Sequence, residues 1–226
     1  MLRRAFRDKT GRARERLDMS EVDTYHLPPT GLVPNNPLPV LHYKALLLNE
    51  GRCSAARAHS LFTKNDWHTQ WINRYGPTQP AHYHAGTHEC MAVLCGSATI
   101  RFGSADADDA DAGIEISANV GDVFILPAGV SHKTFNPVPN DSEFALLTPG
   151  EGHGVAVDEG QDVIEVLDGI ELSGFCMIGA YPRGGAWDFA EGGEHVGEFE
   201  KVWAVPKPRL DPVMGESMKG LCGCWR

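Results

Sequence analysis

The sequence predicts an all-β fold, an antiparallel barrel or double-sheet sandwich with a minor helical part. Two observations carry this. Short apolar runs of strand length (SATIRF, IEI, EFALLT, VIEVL, FCMIGAY) alternate with turn residues along much of the chain. Two further stretches hold histidines at strand spacing between glycine and proline breaks: GPTQPAHYHAGTHECMAVLCG from Gly76 to Gly96, and GDVFILPAGVSHKTFN from Gly121 to Asn136.

The 226 residues are most simply one domain with extensions: a basic arm over 1–24, a single β domain over 25–215 and a tail over 216–226. The arm carries Arg3, Arg4, Arg7, Lys9, Arg12, Arg14 and Arg16. Its acidic residues and scarce serine fit a mitochondrial transit peptide poorly, so a solvated arm or short helix is expected. The net charge of −10 argues against a nucleic-acid partner. No apolar run reaches the ~18 residues of a membrane helix, so no membrane partner is expected. Without an apolar signal-peptide core, a cytoplasmic setting with six free thiols is the expectation. The same reasoning makes Cys222-Gly223-Cys224 part of a solvent-exposed tail.

In chain order, Tyr25–Val40 is proline-rich and extended, lying along a surface or sheet edge. An extended segment needs something to pack on, and a second subunit would supply it, so a homodimer is expected. LHYKALLL adds a strand. Gly51–Lys64 places Ala55, Ala56, Ala58, Leu61 and Phe62 at helical spacing, which predicts a helix. Trp67 and Trp71 then pack a core.

The first histidine stretch follows. Side chains alternate along a strand, so His82 and His84 face one side while Tyr83 packs on the other. Glu89 lies five residues beyond His84, a spacing of the wrong parity for an unbroken strand. Ala85-Gly86-Thr87 must reset it, with Gly86 suited to a turn or bulge. In the second stretch, Gly121 opens a strand, Pro127-Ala128-Gly129 turns, and His132 starts the return. Two hairpins would thus present His82, His84, Glu89 and His132 to one interior. Three imidazoles and a carboxylate suit one divalent transition metal, with Fe, Mn, Ni, Co and Zn all compatible, at about 2.0–2.3 Å from each ligand atom. The acidic loop SADADDADAG between SATIRF and IEI lacks the calcium-loop spacing and reads as a solvated hairpin tip.

These stretches resemble the two motifs of the cupin superfamily. The first motif falls on Gly76, His82, His84, Glu89 and Gly96, the second on Gly121, Pro127, Gly129, His132 and Asn136. Each motif occurs once, which points to a single barrel. NNPLPV, NDWHTQW, HYHAGTHE, GAYPRGGAWD and VPKPRLDPVMG further resemble the YjlB-like cupins over about Tyr25–Gly215. The resemblance implies a cupin β-barrel (a double-stranded β-helix or jelly roll) with a metal held by those four residues. It implies no one reaction, because cupins include dioxygenases, decarboxylases, isomerases, cyclases and binding proteins.

Four protein ligands leave an octahedral ion two open positions, so an oxygenase acting on a small metal-chelating organic substrate is the first reading. A redox-neutral isomerase, cyclase or lyase and a non-enzymatic binding cupin are the alternatives. Three residues are candidates for further catalytic roles. His88 adjoins Glu89 and should point away from the metal in a regular strand. Tyr181 and Arg183, after FCMIGAY, could fix a substrate carboxylate or phenolate at the barrel rim.

Overall fold

The computed structural model describes residues 22–226, apart from 110, 141, 184 and 186. The basic run of residues 1–20 lies outside the described residues. The elements run β1 (Asp23–Tyr25), β2 (Val40–Tyr43), α1 (Ala55–Lys64), β3 (Trp67–Tyr75), β4 (Glu89–Cys95), β5 (Ser97–Phe102), β6 (Ile114–Asn119), β7 (Val123–Leu126), β8 (His132–Val138), β9 (Ala145–Leu146), α2 (Val163–Asp168), β10 (Phe175–Pro182), α3 (Phe199–Trp203) and α4 (Leu221–Cys224). The fold is antiparallel β, as the strand-length runs require. A seven-stranded sheet has the order β1-β2-β7-β4-β10-β3-β9, and a three-stranded sheet the order β6-β5-β8.

The large sheet is buried on both faces, which explains why ECMAVLC shows no polar alternation. Its inner face places Met91 and Val93 of β4, Phe124 and Leu126 of β7, and Phe175 and Met177 of β10 against Ala98, Ile100 and Phe102 of the small sheet. Its outer face places Cys90, Ala92, Leu94, Ile125 and Ile178 under Ala58 and Phe62 of α1 and under Leu221 and Trp225. Glu89 shares the parity of Met91 and Val93, so it belongs to the inner face.

Four expectations need correction. The C-terminal segment is not a solvent-exposed tail. Leu221 and Trp225 are buried, the Leu221 N–H donates to Asp211 Oδ2 at 2.8 Å, and the Trp225 indole donates to Pro39 O at 2.8 Å. The indole joins α1 in covering the outer face of the large sheet. VIEVL is helix α2 and not a strand: the Asp162 side chain caps it by accepting from Ile164 N at 2.9 Å, and Leu167 is buried in the outer core beside α1. The first sheet begins at Asp23, because β1 pairs with β2, so the arm ends earlier than residue 24. The proline-rich segment packs on its own barrel. Asn35 donates to Gly103 O at 2.9 Å and Asn36 to Ala128 O at 2.8 Å, and Val33 is fully buried. That segment therefore gives no reason for a second subunit.

Among the described residues no helix is long and apolar enough to cross a membrane.

Candidate metal centre and cavity

The two histidine stretches do not form hairpins. Each carries the chain from one sheet to the other. Thr78 and His82 bridge to Phe135 and His132 of β8 and so extend the small sheet, whereas Glu89 opens β4 of the large one. β7 lies in the large sheet and β8 in the small. The parity problem between His84 and Glu89 is thus solved by a break between sheets. Gly86 does not use left-handed backbone there. Its N–H and that of Ala85 instead donate to the Asp188 carboxylate at 3.1 Å each.

Backbone bonds register the two stretches directly. His82 N–H donates to His132 O at 3.1 Å and His132 N–H to His82 O at 2.8 Å, while Gly129 N–H donates to His84 O at 2.8 Å. Gly129 has φ +87°, and a Cβ there would meet Val202 Cγ1 at 2.7 Å, so the turn requires glycine. Asp106, from the acidic loop, accepts from Ala81 N at 3.0 Å and from Lys133 at 2.7 Å. That loop is a hairpin tip, as expected, and it also anchors the residue before His82.

His82, His84 and His132 are buried and bring one ring nitrogen each within 4.8 Å of one another. Glu89 joins them: Oε1 lies 3.4 Å from His84 Nε2, and Oε2 lies 3.3 Å from His132 Nε2. The other ring nitrogens face backbone carbonyls. His82 Nδ1 lies 3.2 Å from Pro80 O, His132 Nδ1 lies 3.3 Å from Val130 O, and His84 Nδ1 contacts Asp188 O. A carbonyl only accepts, so Nδ1 donates in each case. The neutral rings then direct bare Nε2 lone pairs inward, the orientation that metal-ligating histidines use.

This donor set fits a divalent cation. Glu89 Oε2 is buried with no hydrogen-bond partner. The atom it faces, His132 Nε2, is also an acceptor once Nδ1 holds the proton. Two buried acceptors facing each other are unfavourable unless a cation lies between them. Burial would raise the Glu89 carboxyl, but the His84 and His132 imidazoles and the Tyr181 hydroxyl outweigh it and hold it at about 2. Burial, then His132 and His84, pushes His82 down to about 2. Burial likewise lowers His132. His84 also feels burial, but the Glu89 charge prevails and raises it. The site thus keeps its carboxylate ionised, and a bound cation would compete with protons for the imidazoles.

The further candidates fare differently. Tyr181 is not at the rim but at the floor, where its hydroxyl donates to Glu89 Oε1 at 2.7 Å and accepts from the Trp71 indole at 3.3 Å. Burial and the Glu89 charge push its phenol well above the usual range. His88 points to the outer face. Its Nδ1 accepts from Ala128 N at 2.9 Å, its Nε2 donates to Pro206 O at 3.2 Å, and its ring packs on Trp225 with centroids 4.9 Å apart. Burial lowers it to about 4. Both its nitrogens are engaged away from the cavity, so it is no acid or base for the site. Arg183 is exposed and is not among the described residues that line the cavity; its backbone N–H donates to Asp66 O at 2.9 Å. Being one residue past the end of β10, it follows the chain outward.

The four residues open into a cavity of about 290 Å³ whose walls are largely aromatic: Trp71, Tyr75, Phe144, Tyr181, Trp187 and Phe189. Trp71, expected only to pack a core, also lines this cavity; Trp67 is buried in the outer core. Gly179 lets the Trp71 ring cross β10, since a Cβ there would meet the indole at 2.2 Å. Trp187, Asp188 and Phe189 form a strap over the histidines and were not singled out from sequence. Their only signal was their place in GAYPRGGAWDFA, directly after β10.

Residues 72–168 match the family model described as Cupin. The chain is 26% identical to the uncharacterised protein YjlB of Bacillus subtilis, over 87% of this chain and 92% of that protein. Among solved structures, the oxalate decarboxylase of Lactobacillus farciminis in its formate complex shares 12% identity at a TM-score of 0.30, covering 54% of this chain and 27% of that one. A vicilin of Solanum melongena shares 15% at 0.33, covering 68% and 30%. This chain therefore spans less than a third of either structure's length. The antiparallel fold, the two motifs on its paired stretches and the match to YjlB together make this chain similar to the YjlB-like cupins.

Proposed function

We propose that this cupin is a metal-dependent oxygenase, with His82, His84, Glu89 and His132 holding one divalent transition metal at the floor of the aromatic cavity. The observation that carries the metal assignment is the buried, unpartnered Glu89 Oε2 set against the bare Nε2 of His132. When bound there, a redox-active ion would supply a centre for chelating substrate and activating dioxygen.

The chain's own residues have distinct tasks. The carbonyls of Pro80, Val130 and Asp188 fix the imidazole tautomers. Tyr181 holds one carboxylate oxygen of Glu89 and leaves the other free. The aromatic walls limit access of water and orient the organic ligand.

Oxygen chemistry is favoured over enolisation because, among the described lining residues, the buried carboxylate is Glu89, which the metal would engage, while the other carboxylate, Glu151, is exposed. A redox-neutral isomerase or lyase is the second reading, supported by the Tyr181 hydroxyl as a proton donor beside Glu89. A purely binding role is less well supported, because the cavity has an exposed mouth. The test is elemental analysis of the purified protein, followed by an oxygen-electrode screen of organic substrates on iron- and manganese-loaded samples. Stoichiometric metal with substrate-dependent oxygen uptake is expected. Turnover without oxygen uptake would move the assignment to the redox-neutral class.

A further inference from the structure

The cavity's chemistry restricts its ligand, on the reading that the cavity is where substrate binds. Among the described residues no lysine or arginine lines it, and the charged side chains that do are Glu89 and Glu151. A divalent ion with Glu89 and three neutral imidazoles has one net positive charge. A small dianion entering there would be left with uncompensated negative charge in an apolar enclosure, which is strongly disfavoured.

The walls favour the opposite kind of molecule. Aromatic rings line the chamber, and apolar side chains continue to its mouth, where Phe144 is 59% and Phe189 51% exposed. A cavity of roughly 150 Å³ accepts benzene, so the 290 Å³ here has room for a substituted or bicyclic ring. Asn73 adds a polar requirement. It lines the same cavity, and its Oδ1 is buried without a hydrogen-bond partner. An orphaned amide oxygen is an acceptor in want of a donor.

We propose that the cavity takes an uncharged, ring-bearing organic molecule with a hydroxyl or amino donor, and that it rejects small di-acids and phosphate.

Isothermal titration of the purified full-length protein tests this, using 2-naphthol, 2-methoxynaphthalene, oxalate and inorganic phosphate. Each is measured on the protein as purified and after chelator treatment. We expect 2-naphthol to bind at least about tenfold more tightly than either anion in both states. We expect 2-methoxynaphthalene, which lacks the donor, to bind about three- to tenfold more weakly than 2-naphthol, a difference that Asn73→Leu removes. Phe144→Ala, at an exposed position that should leave the fold intact by circular dichroism, should weaken 2-naphthol by about threefold or more. Oxalate or phosphate binding as tightly as 2-naphthol, or folded protein that binds no naphthol, overturns the inference. Metal uptake without ring binding would sink this inference alone. Ring binding by protein that takes up no metal would sink the metal assignment alone.

Discussion

Phe189 lies flat on His82, with ring centroids 4.3 Å apart and planes 12° from parallel. One residue earlier, Asp188 accepts from Ala85 N and Gly86 N with its carboxylate, and its carbonyl contacts His84 Nδ1. One residue later, Ala190 exchanges backbone hydrogen bonds with Tyr83, at 3.1 and 2.8 Å. The strap therefore runs antiparallel to the His82–His84 stretch and sets both rings. Asp188→Ala should leave two turn amides unpaired and loosen His84. Supporting hydrogen bonds of this sort are worth about 10- to 100-fold in metal affinity. Competition with a fluorescent chelator measures this, and unchanged affinity in a folded variant would show that the strap does not support the site.

Tyr181 and Glu89 give a second test. Tyr181→Phe removes the donor to Oε1 and leaves a buried carboxylate with both oxygens short of partners. The loss should be about 1–3 kcal/mol in the metal-free protein. It should shrink on metal loading, since a cation would then neutralise the carboxylate. Urea denaturation with and without metal reads both values. An equal loss in the two states would argue that Glu89 is not a ligand.

The convergence of His82, His84, Glu89 and His132 was legible in the sequence because both motifs are local and their spacing has geometric content. The parity argument was right in its need: the chain bends at Ala85-Gly86 and changes sheets between His84 and Glu89. The cavity was not legible. Trp71, Tyr181 and Phe189 meet the histidines through pairings between strands far apart in the chain, such as Gly179 of β10 opposite Trp71 of β3. The β-branched residues of VIEVL favoured a strand, but an aspartate cap and packing on α1 made it a helix. Trp225 looked like a terminal residue in solvent because nothing nearby shows that β4 needs cover on its outer face.

That cover should be measurable. Trp225 is 3% exposed, packs on His88 and donates to Pro39 O. Trp225→Ala should cost about 3–5 kcal/mol, the usual range for a buried large aromatic. His88→Ala leaves Ala128 N without its acceptor and should cost about 1–3 kcal/mol, before any packing loss. Neither change touches the inner face, so both variants should keep full metal stoichiometry where they remain folded. Loss of metal in a folded His88→Ala protein would contradict the outward placement of that ring.

Metal removal separates a catalytic centre from a structural one. The two large apolar clusters, between the sheets and beneath the helices, close without His82, His84, His132 or Glu89. The chelated protein should therefore keep its far-ultraviolet circular dichroism and still melt cooperatively. Metal in about thousandfold excess over its dissociation constant should then add about 4 kcal/mol by mass action alone. Glu89→Ala should abolish most of that increment, because it removes the anionic member of the set. It should also relieve the buried carboxylate, so the metal-free variant loses less than the loaded one. Thermal melts of wild type and Glu89→Ala, each with chelator and with added manganese, give the four numbers needed. Unfolding of the wild type on chelation would make the ion a structural staple. An identical metal increment in the variant would remove Glu89 from the ligand set.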